Sequence, residues 1–246
     1  MARFVKNPND IVNDYVADYA AALGGSLVSV IMYGSAVTHE YVPGKSDINT
    51  AVILTDTSVP VLMKTVPVQK KWFRYGVVPP FFMTEQYIAS SLDTFPVEFL
   101  DMQLSHRVLS GKDVLAGIEI GREHLRLQCE RELKSVAIHL RRHFVAAVGN
   151  DERLYELIGL SFKRLLPLFK ALLMLNGRKV PYVKSDIIVS TESLFGLGAS
   201  VFSRILNMRS RRDVPRESSA LFDHYLKAID TITAATDAGI KKEVSA

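Results

Sequence analysis

The segment from Leu27 to Leu54, LVSVIMYGSAVTHEYVPGKSDINTAVIL, constrains this chain more than any other. An apolar run of β character, Leu27 to Tyr33, stops at Gly34-Ser35. A turn-rich loop with Pro43 and Gly44 follows, and a second apolar run carries Asp47 at its start. Gly has no Cβ, so a strand ending in Gly-Ser lets backbone N–H groups and a hydroxyl approach a phosphate closely. A carboxylate at the start of the next strand is placed to hold the divalent cation that travels with a polyphosphate.

The texture of the chain changes near residue 120. Before it, short apolar runs alternate with helical patterns, as in α/β or α+β domains. Strands are expected at 27–33, 48–54, 79–83 and 96–102, with a short edge strand near 106–109. A first helix, capped by Asn9 or Asp10, has an apolar stripe of Ile11, Val12, Tyr15, Val16, Tyr19 and Leu23 and ends at Gly24-Gly25. Further helices fit about 59–74, where Pro67 is expected to kink or interrupt the pattern, and 85–91. After Gly121 the pattern is helical throughout, with segments near 122–148, 151–176, 184–195, 198–209 and 216–238. The second of these is apolar around most of its circumference and belongs at the centre of a bundle. The expected organisation is therefore α+β: a mixed sheet flanked by helices over 1–118, then an all-α bundle over 119–246.

Composition narrows the functional classes. The 246 residues include one cysteine, Cys129, which excludes a disulfide framework and a cysteine-based zinc cluster. No apolar run approaches the roughly 18 residues of a membrane span, and MARFVKNPND has no apolar h-region. A soluble, cytoplasmic protein without membrane contact is the expectation. The net charge of +4 hides a split. Residues 1–120 carry nine Lys/Arg against twelve Asp/Glu, a balance of −3, and residues 121–246 carry twenty-one against fourteen, a balance of +7.

The Tyr33-Gly34-Ser35 turn followed by Asp47-Ile48 resembles the signature of the DNA polymerase β-like nucleotidyltransferase superfamily: an apolar residue, Gly, Gly or Ser, about ten residues, then Asp, an apolar residue and a second acid. Asn49 stands where the second acid belongs. A nucleotidyltransferase domain followed by a helical bundle is also the plan of antibiotic adenylyltransferases. The resemblance implies transfer of a nucleoside monophosphate from an NTP, ATP first, to an acceptor hydroxyl, with Mg²⁺ or Mn²⁺. Gly34, Ser35 and Lys45 would contact the nucleotide, and Asp47, Asn49 and Glu98 the metal. Asp47 and Glu98 would be the catalytic acids, Glu98 as third ligand or as base. The family's third acid lies on a later strand, matched here to PVEFLDM, where alternation sends Glu98 and Asp101 to opposite faces. Glu98, between Val97 and Phe99, is the better match. Asn49 supplies no negative charge, so the alternative is a catalytically silent module that binds nucleotide or docks a partner. The acceptors of the aminoglycoside relatives are polycations, which a +7 bundle does not suit.

Other signals carry less. His39 and Glu40 read as loop residues over the pocket, and Trp72, Phe73 and Tyr75 as core. His139 and His143 have metal-ligand spacing on a helix but no third ligand nearby, so a solvated face is the simpler reading. Arg209, Arg211 and Arg212 offer a contact for nucleic acid but lack interleaved aromatics, and read first as an exposed helix end.

Overall fold

The structure, a computed structural model, describes residues 5–198, 201–208 and 218–243. The chain divides into two compact units, one running to Ile120 and one beginning at Gly121. The first is α+β. A 3-10 turn (Pro8–Ile11) leads into α1 (Val12–Leu23) and is capped by Asn7, whose side chain accepts from the Asn9 N–H at 3.0 Å. The cap thus falls before the expected Asn9 or Asp10, because Pro8 is well suited to the first helical position. Gly24, at φ +53°, ends α1.

Four strands follow: β1 (Leu27–Tyr33), β2 (Asn49–Leu54), β3 (Phe81–Met83) and β4 (His106–Gly111). Their order is β3-β2-β1-β4; β1 runs antiparallel to β2 and β4, and β2 parallel to β3. Helices cover both faces of this mixed sheet, which is why β1 and β2 are buried in near-continuous runs, Ser29 and Thr50 included, rather than alternately. Val30, Met32, Val52 and Leu54 pack with α1 and with Val68 and Trp72 of α2 (Val59–Phe73). Ile31, Ala51 and Ile53 pack on the other face with Ile88 of α3 (Glu85–Ser91) and with Phe99 and Met102 of α4 (Pro96–Leu104).

Three expectations are corrected here. Residues 96–102 are not a strand but most of α4. Pro96 occupies the first turn, where a missing N–H costs nothing, and Val97, Phe99, Leu100 and Met102 are buried at helical spacing. Pro67 does not interrupt α2, which continues through it with Thr65, Val68 and Trp72 buried around it. Phe73 is not core: it is 63% exposed, whereas Trp72 is 3% exposed and donates its indole N–H to Asp18 Oδ2 at 2.7 Å.

The second unit is helical: α5 (Arg122–Ala147), α6 (Asp151–Leu175), α7 (Lys184–Leu194), α8 (Val201–Asn207) and α9 (Ser218–Glu243). Gly149, at φ +80°, and Asn150, whose side chain accepts from the Arg153 N–H, separate α5 from α6. Leu154, Ile158, Leu165 and Phe169 of α6 are buried, with Phe169 against Phe202 at 4.9 Å between ring centres. Ser161 Oγ and Tyr225 Oη share a hydrogen bond of 2.9 Å in this core. Glu192, 6% exposed, accepts from the Phe202 and Ser203 N–H groups and so caps α8 with a carboxylate. Among the described residues no helix is long and apolar enough to cross a membrane.

Candidate functional site

β1 ends in a turn whose conformation only its glycine makes easy. Gly34 has φ +74°, a left-handed value that L side chains resist, and its N–H donates to the Ser105 carbonyl at 2.8 Å. That bond takes the Gly34 N–H out of any phosphate cradle. The 3-10 turn Gly34–Val37 closes with Thr38, whose N–H and hydroxyl both reach the Ser35 carbonyl, at 3.1 and 3.2 Å. The i→i+3 pattern of such a turn gives the Ala36 N–H to the Tyr33 carbonyl and leaves the Ser35 N–H without a partner inside it. Ser35 is half-buried.

The loop back to β2 is tied locally. The Lys45 and Ser46 N–H groups donate to the Val42 carbonyl, and Ser46 Oγ accepts from the Val42 N–H. Lys45 and Asp47 are exposed. Burial first, and then the nearby Asp47 charge, raise the Tyr41 hydroxyl above its ordinary value. Asn49 pairs with Tyr33 across the β1–β2 ladder, and its amide nitrogen stands 3.6 Å from where a Cβ on Gly34 would be. Of the candidate site residues, Asn49 is brought beside the Gly34 turn.

Glu98 and Asp101 lie three apart on a helix, and residues at that spacing share a side. The expectation that they face opposite ways fails with the strand that carried it. Glu98 is exposed and lines a groove of about 300 Å³ walled by Phe81, Phe82, Met83, Tyr87, Phe95, Phe99 and Met102. Asp101 lies near Tyr33, whose hydroxyl is pushed up first by burial and then by that carboxylate. Tyr33 in turn stacks on Phe81, with ring centres 6.3 Å apart and planes 16° apart. β3, the strand beside β2, consists of Phe81, Phe82 and Met83 and offers no carboxylate. Among the described residues no three His, Cys, Asp or Glu side chains stand together as a metal site.

The Tyr33–Phe81 stack and the groove beside it were missed by the reading of the sequence. The signal was the PPFFM run followed by Tyr87 and Phe95, aromatics too many for a three-residue edge strand and a short helix to bury. His139 and His143 are exposed on α5, their ring centres 6.2 Å apart. Arg209, Arg211 and Arg212 lie outside the described residues.

The first unit is thus an α+β fold, a mixed sheet with a glycine turn at the end of β1 and polar residues at the start of the antiparallel β2. Among solved structures the chain is similar to spectinomycin adenyltransferase AAD(9) from Enterococcus faecialis, determined with ATP and spectinomycin. The TM-score is 0.51 and the identity 12%, over 89% of this chain and 98% of that one. No family model and no curated protein matches the sequence. At this identity the likeness is one of fold.

Proposed function

We propose that the chain is a nucleotidyltransferase that moves a nucleoside monophosphate from an NTP, ATP first, to an acceptor hydroxyl. The observation that carries this reading is the approach of Gly34 to the Asn49 amide, on a sheet of nucleotidyltransferase type. The Ser35 N–H and hydroxyl hold terminal phosphate oxygens, and Lys45 adds a positive charge at the loop. Asp47 and Asn49 present oxygen donors, the ligands hard cations prefer, and Mg²⁺ is commonly held by one or two carboxylates with substrate phosphates completing its shell. The residues therefore fit Mg²⁺ or Mn²⁺, with Asp47 the charged ligand and Asn49 the neutral one. Held there, such an ion would supply neutralisation of phosphate charge. The acceptor oxygen bonds to the α-phosphorus, the bond from that phosphorus to the bridging oxygen breaks, and pyrophosphate leaves. The hydroxyl proton passes to a carboxylate of α4, where Glu98 and Asp101 are the candidates. Such chemistry belongs in the cytoplasm, where nucleoside triphosphates are held.

A second reading is favoured by one observation, the lack of a three-acid cluster among the described residues: a silent module that binds nucleotide without turning it over. Titration calorimetry of ATP with and without Mg²⁺, followed by a pyrophosphate-release assay, separates the two. Mg²⁺-dependent binding with release that disappears in Asp47→Asn is the outcome for transfer. Binding without release under a range of acceptor alcohols is the outcome for the module.

A further inference from the structure

The helical unit has a concavity of its own, of about 210 Å³, where the end of α6 and the loop after it meet α7. Leu173 and Leu194 are its apolar wall, and the rest of its lining is Arg178, Lys179, Ser190 and Ser193, with no carboxylate. Cations that follow a helix often serve its last carbonyls. Here those carbonyls are already engaged. Leu172 accepts from the Asn176 side-chain amide, Leu173 from the Arg178 N–H, Met174 from the Gly177 N–H and Leu175 from Arg122 Nη2. At the end of α7 the Thr191, Glu192 and Ser193 carbonyls accept from the Phe195, Leu197 and Gly196 N–H groups. The carboxylates of α7 are engaged too: Glu192 holds the start of α8, and Asp186 accepts from Ser185 Oγ at 3.2 Å. Among the described residues the Arg178 guanidinium, the Lys179 ammonium and the Ser190 and Ser193 hydroxyls have no partner.

We propose that this concavity binds a phosphate monoester on a short aliphatic body. A monoester carries a charge of about −1.5 to −2 at neutral pH and three strong acceptor oxygens. Two cations match that charge, and the two hydroxyls add neutral donors. Leu173 and Leu194 take the body, and a volume below that of ordinary small-molecule pockets keeps it to a few carbons. The lining has no aromatic ring, the platform on which single-stranded nucleic acids stack their bases, so a small ester suits it better than a polynucleotide. The site lies wholly within the unit that begins at Gly121 and does not rest on the nucleotidyl-transfer reading.

The test uses the full chain without nucleotide, in a phosphate-free buffer at about pH 8, where the monoester is a dianion. Isothermal titration compares propyl phosphate, propanol, inorganic phosphate and a single-stranded oligothymidine. Propyl phosphate should bind at least about fivefold tighter than inorganic phosphate, through its buried methylenes, and propanol should not bind measurably. Arg178→Gln and Lys179→Gln should each weaken propyl phosphate at least about fivefold. Lys163→Gln, which removes one charge from an exposed position of α6 outside the concavity, should change it less than about twofold. Arg178, Lys179 and Lys163 are exposed, so the fold survives each change. No binding of propyl phosphate overturns the proposal. So does an affinity that survives Arg178→Gln and Lys179→Gln combined, which would put the phosphate elsewhere on the chain. A loss in Lys163→Gln equal to that in Lys179→Gln overturns it in favour of net charge alone. Inorganic phosphate bound as tightly as propyl phosphate overturns the ester, and oligothymidine bound more tightly than either makes the surface one for polynucleotide.

Discussion

Gly34 and Asn49 face each other at the open end of the β1–β2 ladder, with 3.6 Å between the Asn49 amide nitrogen and the position a Gly34 Cβ would take. A methyl fits that distance as an ordinary contact, so the conformation at φ +74° sets the cost of substitution. Gly34→Ala should destabilise the protein by about 1–2 kcal/mol, the strain of a left-handed L residue. Gly34→Val should do more, since its branches press on Asn49, and should abolish ATP binding. Urea denaturation and ATP titration measure the two effects; unchanged ATP affinity in a folded Gly34→Val rules out this turn as the phosphate site.

Asn49→Asp places a second carboxylate two residues from Asp47. With a divalent cation present the pair is neutralised and binding tightens; in EDTA the carboxylates repel and one resists ionisation. The variant should bind Mn²⁺ more tightly than wild type and melt at a lower temperature in EDTA. If the wild type is a weakened enzyme, pyrophosphate release also rises. Metal affinity indifferent to this change would show that position 49 is not a ligand.

Glu98→Gln and Asp101→Asn should separate in kinetics. Loss of a carboxylate that only holds the acceptor raises KM with kcat little changed, because such a group contributes alike to the ground and transition states. Loss of the proton acceptor lowers kcat by about 10²-fold or more. The reverse pattern would make Glu98 the base.

His106 lies between the Gln103 carbonyl, 3.0 Å from Nδ1, and the Asp113 carboxylate, 3.1 Å from Nε2. Desolvation pushes the Asp113 carboxyl up, but the His106 bond and the Leu115 and Ala116 N–H groups outweigh it, and the net shift is downward. A carboxyl held below its unfolded value of about 3.9 contributes stability above that pH and loses it as pH falls through the folded value. Asp113→Asn should therefore melt below wild type at pH 6, by no more than about 1 kcal/mol because the carboxylate is exposed to solvent, and the gap should close toward pH 3. A gap that stays constant over that range would mean the ionised carboxylate contributes nothing there.

The strands β1 and β2, the turn between them and the succession of bundle helices were legible because each follows from local chemistry: apolar runs of strand length, glycine where φ turns positive, and Asn or Gly at helix ends. Segment 96–104 was not. Val97, Phe99, Leu100 and Met102 satisfy strand and helix alike in so short a stretch, and only packing against Ile31, Ala51 and Ile53 decides for the helix. That decision moves Glu98 and Asp101 from opposite faces of a strand to one side of a helix. The local sequence determined that a glycine turn would end one strand and that an Asp-x-Asn segment would open the next. Which carboxylate stands near Tyr33, and that β3 brings a phenylalanine and no acid, depended on contacts between residues tens of positions apart, which no local pattern encodes.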